Sequence, residues 1–220
     1  MFNKLHLFFT LMLLGHFTFG QLDLEQEELK LNDELLSFRK EFTKSGMDQA
    51  SHSFASKMKS FLSNEGAFDY NFKHLETVAI LDSPDGKLRI VNWNIEYPDF
   101  SYSFAGFVMH RNKTKVSIYE LTDALDPYEI KPKGVISENK WYGALYYKII
   151  PFESGRNTKY LLIGWDGGTT GSNFKILDVL SISKKHIYFG SPVFYANGEI
   201  SERIIFEYSD RANMTVRYEE

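Results

Sequence analysis

Trp93, Tyr97, Trp141 and Trp165, with Asp166 beside the last, are the residues whose types best suit ligand binding. Indole and phenol rings offer flat apolar faces on which a sugar can stack, and a carboxylate can accept hydroxyl hydrogen bonds. Rings are abundant, with 3 Trp, 13 Tyr and 19 Phe, and only five of the Phe fall in the first 20 residues. The competing reading is structural. Most of these rings sit inside apolar runs, where wide aromatics fill a core and pair across strands.

Other chemistries are poorly supplied. The chain has no cysteine, which removes disulfides, thiolate metal sites and cysteine nucleophiles together. His52, His74, His110 and His186 are too far apart in sequence for a local zinc motif. The glycine-rich stretch Gly164-Trp165-Asp166-Gly167-Gly168-Thr169-Thr170-Gly171-Ser172 lacks the lysine and the following helix of a P-loop. It reads as a glycine-tolerant hairpin loop. The sharper alternative is a cation or sugar site built from oxygens of Asp166, Thr169 and Asn173, and Asp82 and Asp85 offer similar oxygens in an earlier turn. No metal or other cofactor is therefore expected. No G-x-S-x-G elbow or paired-carboxylate motif stands out, although two acids far apart in sequence can still face each other in a cleft. With 25 basic against 29 acidic side chains, the formal net charge is −4, which argues against a nucleic-acid partner.

The elements that must position these residues change character along the chain. Leu31, Leu35, Phe38 and Phe42 fall on one stripe of a 3.6-residue period, and Met47, Ala50, Phe54, Met58 and Phe61 form a second. Lys44-Ser45-Gly46 separates the two stripes, and Asn64-Glu65-Gly66 stops the second. Two amphipathic helices are expected within residues 21–66. From about Leu75 the period becomes two. Residues 77–81, 87–95, 102–110, 115–121, 141–150, 160–165, 174–182, 187–189, 203–208 and 213–218 read as strands separated by turn residues. Ten short strands without intervening helices predict a mostly β, α+β fold: an antiparallel meander, barrel- or sandwich-like, over residues 67–220. The runs at 141–147 and 160–163 are apolar on both faces, and the N-terminal helices are the natural cover for one of them.

Residues 1–20 read as a secretory signal peptide. Lys4 precedes the apolar run of residues 7–14, and Thr18-Phe19-Gly20 places small residues before a cleavage point at Gln21. Without a cysteine after that run, no lipid anchor is expected, and no later stretch approaches spanning length. The expected location is the periplasm or the medium.

Several segments resemble an uncharacterised family of exported, β-rich bacterial proteins. They include Ser83-Pro84-Asp85-Gly86-Lys87-Leu88-Arg89-Ile90, Trp141-Tyr142-Gly143-Ala144-Leu145-Tyr146-Tyr147, Leu162-Ile163-Gly164-Trp165-Asp166-Gly167 and Arg203-Ile204-Ile205-Phe206-Glu207-Tyr208-Ser209. The resemblance spans about residues 68–220. It implies export and a β-rich fold, carries no assigned activity, and suggests that similar chains continue past Glu220. The sequence thus leads to an exported, non-catalytic module that binds a glycan, a peptide or an envelope protein. The alternative is a secreted glycan-acting hydrolase using a carboxylate pair.

Overall fold

The computed structural model describes residues 23–123, 131–169, 171–183, 185–196 and 198–219. The expected signal peptide lies outside them.

Two helices open the described chain. Helix α1 (Leu24–Phe38) starts at Asp23, whose carboxylate accepts from the backbone N–H of Glu25 and Gln26, with Glu25 and Glu27 favourably placed in its first turn. Leu31, Leu35 and Phe38 are buried as the period requires, but Phe42 is 79% exposed and lies beyond the helix. The chain turns away at Arg39, whose guanidinium donates to the Thr77 hydroxyl and to the carbonyls of Thr77 and Asn94. Those bonds pin the end of α1 to the sheet. Helix α2 (Lys44–Leu62) begins at Thr43, whose hydroxyl accepts from Gly46 N. The residues Lys44-Ser45-Gly46, read as a break, are therefore its first turn. A threonine cap, worth about 1 kcal/mol, offsets the low helix propensity of Gly46 in that turn.

Strands β1 (Ala79–Asp82), β2 (Leu88–Glu96), β3 (Tyr102–Asn112) and β4 (Lys115–Thr122) form an antiparallel meander in that order. A second antiparallel sheet runs β5 (Ile136–Ser137), β9 (Ile187–Phe189), β8 (Ser172–Ile182), β7 (Asn157–Thr169) and β6 (Leu145–Ser154), and β12 (Ile204–Ser209) also pairs with β8. A small hairpin of β10 (Phe194–Ala196) and β11 (Glu199–Ser201) stands apart from both sheets. The protein is mostly β, with two helices and no closed barrel among the described residues. Of the two shapes anticipated, the sandwich is the one adopted.

Alternation along β2 explains the layering. Leu88 and Ile90 face the second sheet in a core completed by Trp141, Tyr146, Leu162, Ile176 and Phe189. Val91, Trp93 and Ile95 face the helices with Phe54, Met58 and Phe107. The first sheet is thus roofed by the helices and floored by the second sheet. This corrects the expectation that the helices cover the runs at 141–147 and 160–163. Apolar residues on both faces of β2, Leu88 and Ile90 on one and Val91, Trp93 and Ile95 on the other, are what two covered faces demand.

Two further expectations change. Residues 141–144 precede β6 as buried coil, and Gly143 there has φ +72°, outside strand geometry. Residues 213–218 form no strand. Their alternation is real, since Met214 and Val216 are half-buried, but no neighbouring strand pairs with them. Instead the Tyr147 hydroxyl donates to the Val216 carbonyl at 3.0 Å.

Candidate functional site

The residues singled out from sequence fall into separate places. Trp93 is fully buried between α2 and β2, with Phe54 edge-on at 4.9 Å and its indole N–H directed at the Ser51 hydroxyl, 3.4 Å away. Tyr97 is buried on the same side, and its hydroxyl donates to Asp48. Trp141 belongs to the core between the sheets, where its N–H donates to the Tyr146 hydroxyl at 2.9 Å. Trp165 is half-buried, edge-on to Tyr102 at 5.2 Å, and donates to Asn173 Oδ1 at 3.2 Å. Asp166 is fully buried in β7, where the register with β8 shifts between Asp166 and Thr169, and it accepts from Gly168 N at 2.7 Å. Residues 164–169, read as part of a loop, thus belong to β7, and a Cβ on Gly167 would run into the Tyr102 ring. The five are not brought together. A stacking platform needs open ring faces, and Trp93 and Trp141 present none.

The structure assembles a different site. In an antiparallel meander, alternate turns lie at the same end. The β1–β2 turn (83–87), the β3–β4 turn (113–114) and, from the opposing sheet, the β6–β7 turn (155–156) border one cleft of about 970 Å³. Its first wall is set by register. Leu88, His110 and Ser117 lie side by side across β2, β3 and β4, and Ile90, Val108 and Tyr119 form the next row. Leu88, Ile90 and Val108 are core residues between the sheets, so His110, Ser117 and Tyr119 face the same interior where it opens. The second sheet contributes Tyr160 of β7 and Ile182 at the end of β8.

The rim is cationic. Lys87, Lys113, Lys115 and Arg156 line the cleft, are exposed, and make no ion pair with a described residue. Arg111 is already engaged. Its guanidinium contacts the Asp69 carboxylate at 2.6 and 2.8 Å, donates to the Gly86 carbonyl, and lies 4.3 Å over the Phe68 ring. The cleft's carboxylate, Asp85, is turned inward. It accepts from Ser83 Oγ, from Lys87 N at 3.1 Å and from the Tyr160 hydroxyl at 3.0 Å. Burial alone would raise the Asp85 carboxyl, but these hydrogen bonds outweigh it and hold it below the usual carboxylate range. Burial, reinforced by Asp85, pushes the Tyr160 phenol well above its ordinary value. His110 is shifted the other way: burial lowers it, Asp85 works against that, and Lys87 adds to it. Its imidazole is neutral at neutral pH.

A second cavity, of about 170 Å³, lies between α2 and the far end of the first sheet. Here the Tyr97 hydroxyl meets Asp48, while Asp123 accepts from Ser103 Oγ at 3.1 Å and from Phe104 N at 2.8 Å. Burial raises the Asp123 carboxyl to about 6, against the pull of those two hydrogen bonds. Three acids line this cavity, Glu120 being paired with Lys59 and Asp48 and Asp123 lying beside Tyr97, but sites for drug-sized molecules occupy about 300–1,000 Å³. Among the described residues, no group of three or more histidines and acids is placed to hold a metal ion, and no helix is long and apolar enough to cross a membrane.

Sequence reasoning missed the cationic rim because its members are scattered over 70 positions of chain. The signal was present in the turns: Gly86-Lys87, Lys113-Thr114-Lys115 and Gly155-Arg156 each put a cation at a hairpin tip. Compared with family models, with curated proteins and with solved structures, the chain matches none.

Proposed function

We propose that the chain is an exported, non-catalytic binding protein, related to the β-rich exported family its segments resemble, and that the turn-end cleft receives an anionic ligand. One observation carries this reading: four exposed cations without ionic partners among the described residues ring a single cleft, in a chain of net charge −4. Local charge opposite to the global charge focuses an anion on the cleft, because the facing walls limit solvent screening. Catalysis finds less support. The one carboxylate in the cleft is held ionised and inward by three donors, and the two acids near Tyr97 line a crevice of only about 170 Å³, below the usual range of small-molecule sites.

Titration calorimetry of the full chain with a panel of anionic and neutral ligands tests the reading. Binding confined to anions, and at least tenfold weaker in a Lys115→Glu/Arg156→Glu variant, is expected. Equal affinity for neutral ligands, or turnover of any ligand, overturns it. Export is tested separately by fusing residues 1–25 to a reporter without its own leader, which should then leave the cytoplasm.

A further inference from the structure

Resting on the anion-binding reading, we propose that the ligand of the cleft is an acidic saccharide of at least two sugar units. The argument starts from how the cleft distributes its chemistry. Its cations are carried by separate elements: Lys87, Lys113 and Arg156 come from three different turns that border it, and Lys115 from the start of β4. A single phosphate is held best by donors aimed at one centre, whereas a ring of separated charges matches a ligand whose anionic groups are themselves separated.

The interior differs from the rim. On β4, Lys115, Ser117 and Tyr119 alternate onto the face that looks into the cleft, so a cation, a hydroxyl and an aromatic ring follow one another at about 7 Å steps. Ile182 and Tyr160 lie on the opposing wall. An acidic sugar presents the same three features: a carboxylate or sulfate, hydroxyls, and an apolar C–H face that packs on an aromatic ring. The volume of about 970 Å³ sits at the upper end of the range for small-ligand sites, which leaves room for more than one sugar unit. An acidic peptide answers the charge but not the ring. Its usual route of recognition, adding a strand to a sheet edge, meets Lys113 and Lys115 at the start of β4, the residue type that keeps edges from pairing.

The test is calorimetry on the full chain with four probes: oligogalacturonate, sulfated dextran oligomers, inorganic phosphate and poly-L-glutamate. Binding of at least one acidic saccharide is expected, weakened tenfold or more by Lys115→Glu. Tyr119→Leu, which keeps an apolar side chain at the core margin, should weaken saccharide binding several-fold with its melting temperature near that of the parent. If phosphate or poly-L-glutamate binds as tightly as the saccharides and Lys115→Glu abolishes it, the saccharide inference falls while the anion reading stands. If no probe binds, both fall.

Discussion

The hydroxyl of Tyr160 in β7 donates to Asp85 in the β1–β2 turn at 3.0 Å, joining the two sheets at the mouth of the cleft. Asp85 in turn orders its own turn through Ser83 and Lys87 N, and Ser83 Oγ accepts from Leu88 N at 2.9 Å. One phenol therefore fixes the position from which Lys87 is presented.

Tyr160→Phe removes that donor and leaves Asp85 partly buried with less support, a loss of about 1–2 kcal/mol. The Asp85 carboxyl is depressed in the folded state, so it stabilises the protein above its unfolded pKa of about 3.9, and that contribution disappears as pH falls through the folded value. Without the tyrosine donor the folded value rises toward the unfolded one, and the acid-side contribution shrinks. Urea denaturation should show the variant less stable at pH 7, with a narrower gap from the parent near pH 3.

Arg203 is fully buried, and so is its partner Asp178. The guanidinium donates to Asp178 Oδ2 at 3.1 Å, to the carbonyls of Lys131 and Phe189, and lies 4.7 Å over the Tyr142 ring. It thus ties the segment before β12 to β8, β9 and the coil before β6. Arg203→Met strands a buried carboxylate and should cost about 3–5 kcal/mol. Arg203→Lys keeps the charge without the planar fork and should recover only part of this loss. In the Asp178→Leu/Arg203→Met double variant no charge is left behind, so its melting temperature should exceed that of Arg203→Met. Equal melting temperatures for the two would show that the pair is not coupled.

The period of the sequence carries the layered architecture well wherever a face is decided by burial. Val91, Trp93 and Ile95 against Leu88 and Ile90 are legible as a strand covered twice. Ends of elements are less legible, because caps and tertiary bonds decide them. Phe42 continues the α1 stripe yet is left outside by the Arg39 bonds to Thr77 and Asn94, and Thr43 starts α2 where Gly46 reads as a break. Alternation at residues 213–218 is a property of the chain alone, whereas a strand also requires a partner. Two of the aromatic residues nominated for binding are legible as core by the same rule, since Trp141 opens an apolar run and Trp93 alternates with Val91 and Ile95 on one face of β2. The cleft is hidden for a topological reason. Only the pairing of alternate turns across two sheets brings Lys87, Lys115 and Arg156 to one place.

Asp123 offers a pH test of the second cavity. Its folded value of about 6 lies above the unfolded value near 3.9, so between those limits the folded state holds more protons. Stability contributed by this group is then greatest below pH 4, declines as pH rises from about 4 to 6, and is flat above. Asp123→Asn keeps an oxygen for Phe104 N and removes the buried charge. The variant should be more stable than the parent at pH 7 by about 1–2 kcal/mol, with the difference vanishing near pH 4. A variant less stable at both pH values would show that the carboxylate is held by more than its two hydrogen bonds.

His110 sets the pH dependence of the cleft itself. It faces Asp85 and Lys87 from the β1–β2 turn, Ser117 and Lys115 from β4, and Tyr160 from the second sheet. Burial keeps its imidazole below the ordinary histidine value, so at pH 7 it adds a polar group and no charge. An anion in the cleft favours the protonated ring, and binding at a pH between the free and the bound values should then be accompanied by proton uptake. By linkage, affinity for an acidic ligand rises as pH falls through this range, until the ligand's own carboxylates begin to protonate. His110→Gln removes the titrating group while leaving a side chain that donates and accepts hydrogen bonds. Calorimetry in two buffers of different ionisation enthalpy should detect uptake of a fraction of a proton for the parent and none for the variant. Proton uptake unchanged in His110→Gln would assign the coupling to another group.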